Sequence, residues 1–71
     1  MIFADMPIET LFQYQSSTGT TLWKKLNNNL DNNCICILSY DMTLVSSIGS
    51  ARCNGEYKTL ENIEEFKAYI L

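Results

Sequence analysis

Cys34-Ile35-Cys36-Ile37-Leu38-Ser39-Tyr40 is the stretch of this sequence that decides its predicted fold. It is rich in strand-forming residues and too apolar for an exposed loop, so we predict a β-strand over residues 34–40. Asp41-Met42 predicts a tight turn, and Thr43-Leu44-Val45-Ser46-Ser47-Ile48 predicts a second strand after it. Gly49 indicates a bulge or bend at the end of that strand. These residues form the centre of a predicted antiparallel sheet.

Asn54-Gly55 predicts a hairpin turn that adds a third strand. Both residues tolerate positive φ, which a type I′ turn requires at its two central positions. The turn is expected to join Ala51-Arg52-Cys53 to Glu56-Tyr57-Lys58. The central region therefore predicts a three-stranded antiparallel meander.

The N-terminal part of the chain, residues 5–30, predicts two helices. Asp5 is a suitable cap for the first helix, and its apolar residues Ile8, Leu11 and Phe12 recur at helical spacing. Ser16-Ser17-Thr18-Gly19 interrupts this pattern, because such side chains compete for backbone hydrogen bonds. The second helix is predicted from leucines spaced four residues apart, which are Leu22, Leu26 and Leu30.

A C-terminal helix is predicted over residues 59–70, with Thr59 as its N-cap. Its apolar residues share one arc, and three glutamates lie outside that arc. The predicted fold class is therefore α+β, in the order α-α-β-β-β-α, with helices on one side of a small three-stranded sheet. The 71 residues predict a single domain.

Composition and cysteine content predict a cytoplasmic protein. The chain is 46% hydrophobic with a formal net charge of -3, which disfavours disorder. Its three cysteines are an odd number, which fits a reducing compartment better than a secreted disulfide framework. Residues 1–5 lack the basic start of a signal peptide, and the longest apolar run, residues 34–38, is too short to span a bilayer.

The absence of histidine argues against an enzyme. Histidine is the usual general base near neutral pH, and without it neither a cysteine nor a serine nucleophile has an obvious activator. The acidic residues fall in predicted turns or on a helix face, where they are expected to be solvated. The sequence therefore predicts no catalytic residues and no cofactor.

The cysteines leave open an alternative as a metal or redox protein. Cys34 and Cys36 lie two residues apart on a predicted strand and therefore point to one face, and Cys53 is expected on the same face. A structural zinc site needs four ligands, whereas the chain has three cysteines and no histidine. We therefore expect no metal and predict that the cysteines act as small apolar core residues.

Nucleic acid is not expected as a direct ligand. The chain has five basic residues against eight acidic ones, whereas sequence-independent binding neutralises several phosphates. The three glycines are isolated and match neither nucleotide-binding motif.

The remaining interpretation is a small, non-catalytic protein that binds a larger protein and modulates or inhibits it. Its general features are those of small inhibitors of host defence or nucleic-acid-handling machines that phages and mobile elements encode. The predicted partner carries a basic surface, because the acidic face of the C-terminal helix is the first candidate contact. The alternative is a homo-oligomeric structural or regulatory subunit, assembled through sheet edges or the leucine helix. The candidate contact residues on the C-terminal helix are Glu61, Glu64, Glu65 and Tyr69, and those near the hairpin tip and Trp23 are Arg52, Asn54, Tyr57 and Trp23.

Overall fold

The computed structural model describes residues 1–70, which form a five-stranded antiparallel sheet with a short 3-10 helix and one C-terminal α-helix. The strands lie in the order β4-β3-β2-β1-β5. β5 returns from β4 by a long connection to lie beside β1, as in a Greek key. No helix within the described residues has the length and apolar character needed to cross a membrane. The elements are the 3-10 helix Phe3–Asp5, β1 Leu11–Ser16, β2 Gly19–Lys25, β3 Cys34–Leu38, β4 Leu44–Gly49, β5 Lys58–Leu60 and α1 Ile63–Ile70.

The prediction of two N-terminal helices is wrong, because this region forms the hairpin β1–β2. β1 and β2 pair along their whole length, from Leu11 opposite Lys24 to Ser16 opposite Gly19. The interruption at Ser16-Ser17-Thr18-Gly19 is the hairpin turn, in which the Ser16 hydroxyl donates to the Gly19 carbonyl over 3.0 Å. Aromatic and β-branched residues in both segments favour strands, and they override the helical spacing of a few apolar residues.

The leucine helix predicted as an assembly surface is therefore absent as well. Leu22 is fully buried in β2, whereas Leu30 is 80% exposed in the loop between β2 and β3. These leucines therefore do not form the shared helical surface that the sequence predicts.

The central strands agree with the sequence in position, but the hairpin predicted at Asn54-Gly55 is wrong. The turn instead spans residues 52–55, where the Gly55 N–H donates to the Arg52 carbonyl over 3.0 Å, and neither Asn54 nor Gly55 has positive φ. Residues 51–53 do not form a strand, because this segment pairs with the N-terminus. The Ala4 N–H donates to the Cys53 carbonyl over 2.9 Å.

The C-terminal helix begins at Ile63, four residues later than predicted. Thr59 is not its N-cap, because Thr59 lies in β5 opposite Phe12 of β1. Asn62 takes that role, since its Oδ1 accepts the Glu65 N–H over 2.9 Å. The prediction of a three-stranded sheet is therefore wrong: β3 and β4 form near the predicted positions, β1 and β2 replace the predicted helices, and β5 overlaps the predicted strand 56–58 only at Lys58.

Two apolar clusters lie on opposite sides of the sheet, because successive residues of a strand point to opposite faces. We call these the cleft side and the helix side. A register shift between Cys36 and Leu38 breaks the alternation of β3, so Cys34 belongs to the first cluster and Leu38 to the second. The cleft side buries Phe3, Met6, Phe12 and Cys34, and the helix side buries Leu22, Leu38, Leu60 and Phe66.

Candidate functional site

A cleft of about 510 Å³ opens on the cleft side, between the β1–β2 hairpin and the segment 50–57. Four aromatic rings line it, and a basic and an acidic side chain, Arg52 and Glu56, stand at its exposed rim. Aromatic rings combined with a few charged groups are typical of surfaces that anchor a binding partner. The four rings belong to Phe12, Tyr14, Trp23 and Tyr57.

The pairing of β1 with β2 places two of these rings side by side. Phe12 lies directly opposite Trp23, so both side chains point to the cleft side. Tyr14 lies two residues further along β1, on the same face, and is 49% exposed. The Trp23 Nε1–H donates to the Thr21 hydroxyl over 2.8 Å, which fixes the orientation of the indole.

Gly49 of β4 makes room for the Trp23 ring. A Cβ atom at this position would lie 2.7 Å from Cζ3 of the indole, which is closer than two carbon atoms can approach. The indole therefore lies over the backbone of Gly49, and a side chain at this position would displace it.

The opposite wall of the cleft is an irregular segment held by a buried amide. Asn33 is fully buried, and its Nδ2 donates to the carbonyls of Asn29 and Ala51 over 2.9 Å each. Its Oδ1 accepts the Ala51 N–H over 2.8 Å. The side chain thus pairs with the backbone of Ala51 as a neighbouring strand would, and it fixes the start of the wall.

A buried lysine holds the N-terminal segment beneath the same wall. Lys25 is fully buried, and its Nζ donates to the carbonyls of Phe3 over 2.7 Å and Met6 over 2.9 Å. The ammonium also lies 4.6 Å from the centre of the Phe3 ring, which adds a cation–π contact. Because Phe3 contacts Tyr57 with ring centres 6.3 Å apart, this anchor supports one of the cleft rings from below.

The structure divides the predicted contact residues between two surfaces. Trp23, Tyr57 and Arg52 come together in the cleft, and Asn54 lies in the neighbouring turn 52–55. The other four, Glu61, Glu64, Glu65 and Tyr69, lie in or next to α1 on the helix side.

Two of the residues at α1 are already engaged in local contacts. The Oε2 atom of Glu65 accepts the Glu61 N–H over 2.9 Å, which closes the first turn of the helix. The Lys58 ammonium lies 4.3 Å from the centre of the Tyr69 ring. Glu61, Glu64 and Glu65 are all exposed, and Glu65 uses one of its carboxylate oxygens in the contact with Glu61.

The cysteines do not form a recognisable metal site. Cys34 and Cys36 are buried, whereas Cys53 is partly exposed. Burial raises the pKa of the Cys34 and Cys36 thiols, which makes them poor nucleophiles near neutral pH. Within residues 1–70, no three cysteine or acidic side chains lie close enough together to hold a metal ion.

Sequence reasoning missed several residues on which the cleft depends. Phe12 and Tyr14 were placed on a helix, although aromatic and glutamine residues alternate over residues 12–15 with the two-residue period of a strand. The sequence gives no sign that Lys25 and Asn33 are buried, because lysine and asparagine are usually exposed. Neither a protein-family model nor a curated protein nor a solved structure matches this chain.

Proposed function

We propose that this protein is a non-catalytic binding module that holds a short extended segment of a larger protein in the aromatic cleft, and thereby modulates or inhibits that protein. The observation that carries this proposal is the convergence of Tyr14, Trp23 and Tyr57 on one open cleft. Tyrosine and tryptophan are enriched among the residues that dominate binding energy at protein interfaces, because each buries a large rigid surface.

An extended segment fits the edge of the sheet beside this cleft. β5 pairs with β1 only over residues 11–13, whereas β2 pairs with β1 as far as Ser16. The outer edge of β1 is therefore not covered by β5 beside Tyr14 and Gln15, where a smaller hollow of about 260 Å³ adjoins the cleft. A peptide in strand conformation gains main-chain hydrogen bonds at such an edge, while neighbouring pockets receive its alternate side chains.

The rim charge of Arg52 favours a segment with an acidic residue. Arg52 is exposed and can pair with such a residue, whereas the Glu56 carboxylate already lies 3.2 Å from the N-terminal ammonium of Met1. Because exposed pairs contribute only about 0–1 kcal/mol, we expect the rings to supply most of the affinity and the charge to set the orientation of the segment.

The experiment is a selection of binding peptides from a random displayed library, read out by the fluorescence of Trp23, the single tryptophan of the chain. We expect selected peptides to shift the Trp23 emission, to lose at least about tenfold in affinity for the Tyr14→Ala variant, and to lose less, up to about fivefold, for Arg52→Glu. The matched control is Tyr40→Ala, because Tyr40 is also about half exposed (57%) but does not line the cleft. Equal binding to Tyr14→Ala and Tyr40→Ala would exclude the cleft as the binding site.

The second candidate surface is α1, whose exposed Glu61 and Glu64 favour a partner with a basic surface, such as a nucleic-acid-handling protein. Its test is a Glu61→Lys, Glu64→Lys variant, which leaves the capping residues Asn62 and Glu65 in place. Loss of partner binding in this variant, with binding retained by Tyr14→Ala, would favour the helix over the cleft.

A further inference from the structure

Asn54-Gly55, the pair that does not form the predicted hairpin, favours a chemical reaction of its own side chain. The backbone nitrogen that follows an asparagine can attack the side-chain amide carbon, and asparagine is for this reason among the thermally labile residues. Glycine allows the closest approach, because it has no side chain to hinder the attack. Asn54 is the one asparagine of this sequence that precedes a glycine.

The structure leaves Asn54 open to this reaction, whereas the other asparagines are restrained or hindered. Asn54 is exposed in the turn 52–55. Asn33, by contrast, is fully buried with its amide bonded to backbone groups, and Asn62 caps α1. The remaining asparagines precede residues with side chains, and they are Asn27, Asn28, Asn29 and Asn32.

We propose that Asn54 is a site of spontaneous deamidation, and that its isoaspartyl product releases the turn 52–55 from the N-terminal segment. The reaction consumes water and needs no enzyme. The inference goes beyond peptide binding, although the turn belongs to the wall of the same cleft.

The reaction has two steps, and the Gly55 nitrogen takes part in both. In the first, this nitrogen forms a bond to Cγ of Asn54, the bond from Cγ to the side-chain nitrogen breaks, and ammonia leaves with the proton of the Gly55 N–H. In the second, water adds to one of the two carbonyls of the resulting succinimide ring, and the bond from that carbonyl to the Gly55 nitrogen breaks. Attack of water at Cγ gives an aspartate on the original main chain. Attack at the backbone carbonyl carbon gives an isoaspartate, whose main chain runs through Cβ and Cγ.

The turn itself controls how often the first step occurs. The Gly55 N–H donates to the Arg52 carbonyl over 3.0 Å, so the nitrogen is not free to attack while this bond holds. Exposed turns open locally without unfolding of the core. We therefore expect deamidation in the native chain, at a lower rate than in the chain unfolded by urea.

The isoaspartyl product conflicts with two backbone hydrogen bonds that flank Asn54. The Ala4 N–H donates to the Cys53 carbonyl over 2.9 Å, and the Phe3 N–H donates to the Gly55 carbonyl over the same distance. These bonds fix the spacing of the two carbonyls, and isoaspartate adds one atom to the main chain between them. The new carboxylate lies in an exposed turn, where a charge contributes little. We therefore expect the lengthened main chain, and not the charge, to loosen the wall.

The first experiment locates the reaction by peptide mapping with mass spectrometry, after the full chain is aged in warm, mildly alkaline buffer. We expect Asn54 to be converted first, at a time when Asn28 and Asn32 are still intact. Asn54→Gln is the matched control, because its amide would have to close a larger ring, and this variant should keep its mass over the same period. An intact Asn54, conversion of Asn28 at the same rate, or equal mass change in Asn54→Gln would contradict the assignment of this site.

The second experiment tests the effect of the product in the full chain. Cys53 allows residues 1–52 to be joined by native chemical ligation to a synthetic segment 53–71 that carries isoaspartate at position 54. We expect hydrogen exchange at the Phe3 and Ala4 N–H groups to be accelerated at least about tenfold in this chain, as for the loss of one or two hydrogen bonds.

Asn54→Asp is the control for this experiment, because it adds the same charge without lengthening the main chain. Its hydrogen exchange at Phe3 and Ala4 should match that of the parent chain. Unchanged exchange in the isoaspartyl chain, or equally fast exchange in Asn54→Asp, would overturn the proposed effect on the wall. Neither experiment uses a peptide ligand, so their outcomes are independent of the function proposed for the cleft.

Discussion

The two sides of the sheet are stabilised by different kinds of interaction. On the helix side, α1 packs Phe66 against Leu22, Leu38 and Leu60, and the buried side chain of Gln13, which lies opposite Leu22, is on the same side. On the cleft side, no α-helix covers the sheet, and residues 1–6, which include the 3-10 helix Phe3–Asp5, and the irregular segment 50–57 take that place. Two buried polar side chains, Lys25 and Asn33, hold that backbone by hydrogen bonds.

This difference explains why the cleft forms where it does. A helix satisfies its own backbone hydrogen bonds, so it can pack closely through apolar side chains alone. Irregular segments need external donors and acceptors, because buried backbone groups without partners are costly. Their carbonyls and amides are fixed by Lys25 and Asn33, and their side chains leave an open, aromatic-lined space beside the sheet. The candidate site is thus a consequence of covering one side with loops.

The largest expected effect is on the helix side, where Phe66→Ala removes a fully buried ring. We expect a loss of about 3–5 kcal/mol in the free energy of unfolding, which approaches the whole stability of a domain of this size. Urea denaturation measures it. Tyr69→Ala on the same helix is the control and should cost less than about 1 kcal/mol, because Tyr69 is half exposed and mainly loses its contact with Lys58.

The second prediction concerns the lysine of the cleft side. Lys25→Met keeps the apolar stem but leaves the carbonyls of Phe3 and Met6 without their donor, so we expect a loss of about 2–3 kcal/mol. Hydrogen exchange should show early loss of protection at the N–H groups of Phe3 and Ala4, which bond to the 50–57 segment. Lys24→Met is the matched control. If both variants have the same free energy of unfolding, the hydrogen bonds from Lys25 to the Phe3 and Met6 carbonyls do not stabilise the cleft side.

The third prediction tests the amide that starts the cleft wall. Asn33→Ala removes three hydrogen bonds to backbone groups of Asn29 and Ala51, and we expect a loss of about 1–2 kcal/mol. Asn28→Ala is the control, because Asn28 is exposed. The free energy of unfolding of this variant should remain within about 0.5 kcal/mol of the wild-type value. Denaturation midpoints measure both. A smaller effect at Asn33 than at Asn28 would contradict the role given to this side chain.

The sequence allowed the centre of the sheet to be predicted, because β3 and β4 are encoded locally. The run of isoleucine and cysteine in residues 34–38 favours a strand in any context, and the turn at residues 39–42 follows from its neighbours. The hairpin β1–β2 was missed because Leu11 and Phe12 satisfy a helical spacing by chance, although Phe12, Tyr14 and Trp23 are strand formers.

The errors in the C-terminal half have a different cause, which is competition from distant segments. Asn54-Gly55 has the local preference for a hairpin turn. In the structure, however, the residues on either side of it form hydrogen bonds with residues 1–4 and not with each other. Thr59 has the local preference for a helix N-cap, but it lies in β5 and pairs with Phe12 of β1. Arg52 and Tyr57 are predicted as contacts from their place near the expected hairpin tip, and Trp23 is predicted from its residue type. Their meeting in one cleft depends instead on these long-range pairings.

The smallest expected effect on stability is at Gly49, and it links the packing of the cleft side to binding. Gly49 lies in β4 outside the left-handed region of φ, so alanine fits its backbone conformation, and only the contact with Trp23 is disturbed. A Cβ atom 2.7 Å from the indole must displace the ring, and we expect Gly49→Ala to cost about 1 kcal/mol. Gly55→Ala is the contrasting variant, since its Cβ would meet the Tyr57 hydroxyl at 2.8 Å and Cε2 at 2.9 Å, and so displaces the Tyr57 ring and not the indole. We therefore expect a shift of the Trp23 emission and weaker peptide binding for Gly49→Ala, and an unchanged emission for Gly55→Ala. If Gly49→Ala leaves both the emission and the binding unchanged, the position of the indole does not shape the binding surface. The packing of the open cleft side then does not determine peptide binding.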